Sequence, residues 1–163
     1  QLGTLQVDFN LPRAFELSYV GDDNKEHQPV MLHRAILGSL ERFIGVYLEH
    51  TAGHLPLWLA PQQVALLTVT DRQLDYAREL ARDLKVAGLR ASVDERGEKL
   101  GYKIREAQLQ KVPYILVIGD KEMEAGAVAV RLRSGEDLGA KPVAEFSALL
   151  EKVVGSRTQK LVD

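Results

Sequence analysis

The sequence predicts an α/β fold, a sheet with a parallel core covered by helices. Three observations lead there. Residues 64–69 are an apolar run of strand length, and residues 113–118 are an uninterrupted one with the composition of a strand buried on both faces. Helical periodicities separate those runs from each other and from the alternating segments around them. From residue 64 onward the order reads β-α-β-α-β-β-α, which right-handed crossovers fold into adjacent parallel strands.

The chain has 163 residues, room for one ordinary domain or for a domain of about 100 residues with part of another attached. With 45% hydrophobic and 27% charged residues it has the composition of a soluble globular protein, so the whole chain is expected to fold. The formal net charge of −2 supplies no global field for nucleic acid, and any such site must be a local patch. With no cysteine, disulfides and thiol catalysis are excluded, which suits a cytoplasmic protein. No apolar run approaches the roughly 20 residues that span a bilayer, so no membrane partner is expected. Gln1-Leu2-Gly3-Thr4-Leu5 reads as the middle of a strand, and a piece of a longer polypeptide is expected.

Along the chain, residues 4–10 alternate polar Thr4, Gln6 and Asp8 with apolar Leu5, Val7 and Phe9, the period of a strand buried on one side. Residues 10–28 are polar and irregular, with Pro12, Gly21 and Asp22-Asp23, and read as a loop or hairpin excursion to a second strand over 29–33. From Ser39, a hydroxyl N-cap, Leu40, Phe43, Ile44, Tyr47 and Leu48 form one helical stripe that ends near Gly53. Pro56 and Pro61 bound a connector, which puts the domain boundary at 1–58 and 59–163.

In the second domain, the strand at 64–69 leads into Thr70-Asp71-Arg72-Gln73, a capping box, and a helix whose inner face carries Leu74, Ala77, Ala81 and Leu84, closed by Gly88. Leu89, Ala91 and Val93 alternate as a strand; Leu100, Ile104, Ala107 and Lys111 continue a helix to Val112. After the strand at 113–118, Gly119-Asp120 turns the chain into an alternating strand over 127–133 that Ser134-Gly135 ends. A last helix starts at Pro142, with Val143, Phe146, Leu150 and Val153 on its inner face.

The segment Gly38-Ser39-Leu40-Glu41-Arg42-Phe43 joins a glycine at a strand end to a helix start. Such a start offers backbone donors to anions, and Arg42 adds a two-pronged donor suited to a triphosphate. Taken alone, the Glu-Arg pair reads as an ordinary surface pair on an amphipathic helix. His33, alone at a strand end, is more often a structural residue than a metal ligand. The longer segment His33-Arg34-Ala35-Ile36-Leu37-Gly38-Ser39-Leu40-Glu41-Arg42-Phe43-Ile44-Gly45 is similar to the third signature motif of class II aminoacyl-tRNA synthetases, in the form found in threonyl-tRNA synthetases. The resemblance implies that Arg42 contacts the ATP phosphates, with Ser39 in the same pocket, and that His33 binds zinc together with a Cys and a His from upstream. Residues 1–10 resemble the family's preceding strand, implying that Gln1 borders ATP while Thr4 and Gln6 face the aminoacyl pocket. Many relatives have Cys where this chain has Leu2. Three protein ligands leave zinc an open position where threonine can chelate, which rejects valine for lack of a hydroxyl. His27, His50 and His54 match no motif.

Between residues 96 and 133 there are eight basic residues and five acidic ones, a local excess on a nearly neutral chain. Lys99 and Lys103 share a helical face and Arg131 and Arg133 a strand face, a spacing that suits reading RNA; a solvated charged surface is the competing reading. Residues 94–106 and 112–122 resemble the anticodon-binding domain shared by threonyl-, prolyl-, glycyl- and histidyl-tRNA synthetases. The implied base contacts are Lys99, Arg105, Lys121, Glu122 and Arg131. Several relatives have Asn at the position of Gly97, where a side-chain contact is missing here.

Together these resemblances imply an anticodon-binding domain with a mixed, partly parallel sheet flanked by helices, preceded by the end of an antiparallel-sheet catalytic domain. They imply a parent enzyme that activates threonine with ATP and Mg²⁺ and transfers it to its tRNA, in the cytoplasm and as a homodimer. The chain by itself is expected to be inactive. Two alternatives are a non-catalytic RNA-binding module derived from the anticodon domain, and a prolyl, glycyl or histidyl enzyme. His33, nine residues before Arg42, favours the threonyl type.

Overall fold

The computed structural model describes residues 3–162, and the chain divides into two compact units, Gln1–Ala52 and Gly53–Asp163. In the first unit the polar-apolar alternation produces strand β1 (Thr4–Asp8), followed by a short helix α1 (Asn10–Ala14), a two-residue hairpin of β2 (Tyr19–Val20) and β3 (Glu26–His27), and strand β4 (Met31–Ala35). β1 and β4 pair antiparallel, with Thr4 opposite Ala35, Gln6 opposite His33 and Asp8 opposite Met31. The excursion between them is thus a hairpin preceded by one turn of helix. That turn forms because Asp8 Oδ1 accepts the N–H groups of Asn10 at 2.8 Å and Leu11 at 3.0 Å, satisfying donors a helix start leaves free. Helix α2 (Leu40–Thr51) follows, its first turn closed by Ser39 Oγ, which accepts the Arg42 N–H.

Burial differs from the alternation's promise. Leu5, Val7, Leu32 and Ile44 are all more than half exposed, and among the described residues of this unit Pro12 alone is buried. A two-stranded ladder with two helices has too little area to cover its own apolar face.

The second unit begins at Gly53, and the connector packs within it. Residues 57–59 form one 3-10 turn whose Leu57 is fully buried, and Gln63 Nε2 donates to the Leu57 carbonyl at 2.9 Å. The unit then runs β5 (Val64–Thr68), α3 (Leu74–Val86), β6 (Ala91–Asp94), α4 (Leu100–Leu109), β7 (Tyr114–Ile118), α5 (Asp120–Ala125), β8 (Ala127–Leu132), β9 (Asp137–Pro142) and α6 (Val143–Ser156). The sheet order is β6-β5-β7-β8-β9, parallel over β6-β5-β7 and antiparallel beyond. The mixed, partly parallel sheet flanked by helices is the fold that the sequence predicts.

One face carries the larger core: Val64, Leu66, Leu116, Ile118, Val128 and Val130 pack with Leu80 and Leu84 of α3 and with Phe146 and Leu150 of α6. On the other face Ala65, Leu67 and Ile115 pack with Ala107 of α4 and with Val112. Three details depart from the sequence reading. Strand β9 occupies what reads as a turn and loop, its pattern obscured by Gly139 at φ +76° and by a register shift at Val130/Arg131. Helix α5 follows β7 directly; six residues are too few for a periodic signal. Helix α4 stops at Leu109, because Lys111 adopts φ +60° and turns Val112 into the second core.

Candidate functional site

On the first unit, the pleat sends Thr4, Gln6 and Asp8 to one face of β1, and register brings His33 to the same face opposite Gln6. The His33 side chain is 40% exposed, with Nε2 at 3.0 Å from Asp8 Oδ2. Asp8 is thereby engaged at both oxygens. Its carboxyl is held below the usual carboxylate range, first by the Leu11 amide hydrogen bond, with partial burial opposing and the Asn10 amide and His33 adding to it. At the start of α2, Arg42 is exposed and its guanidinium has no partner among the described residues. Gln1 lies outside the described residues. His27 pairs instead with Asp23 at 2.8 Å on the hairpin. Among the described residues no three His, Cys, Asp or Glu side chains form a group that could hold a metal ion. Sequence reasoning did not single out Asp8, though its signal was present as the third polar residue of the β1 alternation.

On the second unit, the expected RNA-reading residues fall at the end of the parallel strands, on α4 and on β8. The parallel strands β5, β6 and β7 end at the same sheet edge, and Lys99 (before α4), Lys121 and Glu122 (on α5) follow β6 and β7 there. Lys99 and Lys121 are exposed. Glu122 Oε2 accepts the Gly119 N–H at 3.0 Å and so caps α5. Arg105 projects from the middle of α4 and is exposed. Arg131 lies opposite Ile115, on the face that carries α4, and therefore roughly 10 Å along the strand from the end of β7. It donates to Asp137 Oδ2 at 2.8 Å.

Two cations that the spacing groups with these serve the fold. Lys103 is 4% exposed and its Nζ donates to the Asp94 carbonyl at 3.1 Å, strapping α4 to β6. Arg133 donates to the carbonyls of Leu55 at 2.7 Å and His54 at 3.3 Å, anchoring the connector, and burial lowers its pKa. Arg96 closes on Asp94 through two hydrogen bonds of 2.9 and 2.6 Å, which lower the pKa of the Asp94 carboxyl. Lys99, Arg105 and Lys121, with no side-chain partner among the described residues, keep their donors for a ligand. No helix among the described residues is long and apolar enough to cross a membrane.

Comparison with known proteins yields two families. Residues 1–51 match the tRNA synthetase class II core domain (G, H, P, S and T), and residues 63–153 match the anticodon binding domain. The chain is 60% identical to the threonine–tRNA ligase of Bdellovibrio bacteriovorus over 97% of its own length and 24% of that protein. It is 61% identical to the threonine–tRNA ligase of Nitratidesulfovibrio vulgaris, over 92% of itself and 23% of the relative. It thus spans about a quarter of the length of the relatives it matches. Among solved structures, the RNA binding domain of threonyl-tRNA synthetase from Cryptosporidium parvum superposes with a TM-score of 0.85 at 38% identity, covering 94% of this chain and 39% of that one. Prolyl-tRNA synthetase from the same organism shares the fold, with a TM-score of 0.75 at 21% identity, over 99% of this chain and 34% of that one. The matched stretch 63–153 makes up more than half of the sequence, and the chain belongs to the anticodon binding domain family, with a stretch of class II tRNA synthetase core ahead of it.

Proposed function

We propose that this chain is the carboxy-terminal part of a threonine–tRNA ligase, an enzyme that activates threonine with ATP and transfers it to the matching tRNA. The observation that carries the reading is 60–61% identity, over nearly the whole chain, to proteins of that name. The exposed apolar faces of the first unit support it: they suit a segment that completes a larger fold.

In this reading Arg42 grips the ATP phosphates from the first turn of α2, beside Ser39, and Mg²⁺ accompanies the nucleotide. Its guanidinium, with no partner among the described residues, is in the form a bidentate phosphate contact requires. Gln1, outside the described residues, borders the same nucleotide. His33 fits zinc as a single ligand, because one ring nitrogen faces a carboxylate and the other has no partner among the described residues. Thr4 and Gln6, on the same face, line the aminoacyl pocket. Bound there, the metal supplies a Lewis-acid position that tests for the threonine hydroxyl. Lys99, Arg105, Lys121, Glu122 and Arg131 read the anticodon loop of the tRNA. The complete enzyme acts in the cytoplasm as a homodimer.

The proposal is tested by threonine-dependent exchange between ATP and pyrophosphate. The complete enzyme exchanges; the 163-residue chain does not, since one arginine and one imidazole cannot assemble the site. Exchange by the chain alone, or its absence in the complete enzyme, refutes the reading.

A further inference from the structure

The Asp8–His33 pair carries an inference that rests on the zinc reading above and deepens it. Asp8 and His33 are diagonal neighbours across the β1–β4 ladder, since Gln6 pairs with His33 and Asp8 with Met31, and their side chains share a face. Asp8 Oδ1 is pinned by the amides of Asn10 and Leu11, so the carboxylate cannot rotate freely. Its second oxygen, Oδ2, is left for His33 Nε2 at 3.0 Å. An ionised carboxylate only accepts hydrogen bonds, and a neutral imidazole donates from one nitrogen and offers a lone pair on the other. A proton on Nε2 therefore leaves Nδ1 as the free lone pair, and Nδ1 has no partner among the described residues.

We propose that Asp8 is a positioning residue for metal binding: it holds the Nε2 proton and the ring plane of His33, so that Nδ1 is the atom presented to zinc. Metal-binding histidines in general donate their other ring N–H to such a partner, and losing that partner weakens metal binding. The hairpin offers an internal contrast. Asp23 and His27 make a similar contact at 2.8 Å, but both side chains are near half exposed, whereas Asp8 is 21% exposed.

The test uses the complete enzyme and measures zinc affinity by competition with a chromogenic chelator for wild type, Asp8→Asn and Asp23→Asn. Asparagine keeps an oxygen for the Asn10 and Leu11 amides, so the cap survives. It turns an N–H₂ toward Nε2, which favours the tautomer whose Nδ1 carries the proton. Asp8→Asn is expected to weaken zinc binding about 10- to 100-fold, with Asp23→Asn unchanged and the metal-free unfolding midpoint of Asp8→Asn matching wild type. Unchanged affinity in Asp8→Asn overturns the role of Asp8 while leaving the zinc reading intact. A fall in the metal-free midpoint that accompanies the loss also overturns it, since the residue would then be structural. So does a metal-bound structure with zinc on Nε2. A wild-type enzyme that binds no zinc at all defeats the zinc reading itself, a distinct result.

Discussion

Replacing Arg131 by alanine is the sharpest test of the RNA surface, because the structure fixes both what the arginine does without RNA and what it must give up to bind it. Its guanidinium is paired with Asp137 at 2.8 Å, with side-chain exposures of 40% and 48%. An ion pair this wet is worth about 0.2 to 1 kcal/mol. A base contact by an arginine is worth about 1 to 3 kcal/mol, so the exchange of partners favours RNA. Arg131→Ala should therefore weaken binding of a threonine tRNA anticodon stem-loop by about 5- to 150-fold. Asp137→Asn removes the competitor and should tighten binding by no more than about fivefold. Fluorescence anisotropy with the 163-residue chain at fixed ionic strength measures both, and a salt titration adds the decisive slope. A base reader leaves the salt dependence of the affinity unchanged when removed, whereas a phosphate contact lowers the slope by about one and weakens all sequences alike. Affinity within about twofold of wild type for Arg131→Ala would remove this residue from the interface.

Two further outcomes follow from the second unit. Gln63 is 2% exposed, donates to the Leu57 carbonyl at 2.9 Å and accepts the Arg90 N–H at 2.8 Å, so Gln63→Leu leaves the Arg90 N–H without that acceptor and the Leu57 carbonyl with the Ala60 N–H alone, and should destabilise residues 53–163 by roughly 1 to 3 kcal/mol in urea unfolding. A loss below about 0.5 kcal/mol would mean that water or relaxation replaces both bonds. His54 has its pKa lowered from 6.5, first by burial and then by the charges of Arg133 and Lys111. Below 6.5 the unfolded chain binds a proton that the folded one resists, so its contribution to stability is complete above that pH and falls as the pH drops toward the folded pKa. The unfolding midpoint should drop more between about pH 7.5 and about pH 5.5 in wild type than in His54→Gln, and equal drops would contradict the assignment.

Much of the fold was legible because its signals are local. The apolar runs of β5 and β7 announce strands, and both are buried but for Val117. The Thr70-x-x-Gln73 box forms as spelled, with Gln73 Oε1 accepting the Thr70 N–H at 2.8 Å. Gly88, at φ +82°, closes α3 where expected. Elements too short or too irregular to show a period were not legible: α5, the 3-10 turn at 57–59 and β9, which is held by pairing to β8 rather than by its own pattern. Pro142 is the residue before the first helical turn of α6 rather than within it, a one-residue slip of the kind that cap geometry alone resolves.

The candidate sites divide the same way. The segment from His33 to Arg42 identifies itself, since residue types and spacing are properties of the chain alone, and so is the helix start that presents Arg42. Only the tertiary structure separates cations that meet solvent from cations that brace the fold. Lys99 and Lys103 stand four residues apart and look alike in sequence, yet one is exposed and the other is buried on α4 with its Nζ on a strand carbonyl. The same holds for Arg131, which pairs across the ladder, and Arg133, which anchors a loop nearly 80 residues away in sequence. Burial and ladder register are relations between distant segments, and a one-dimensional pattern encodes the face a side chain takes but not what the fold lays over it.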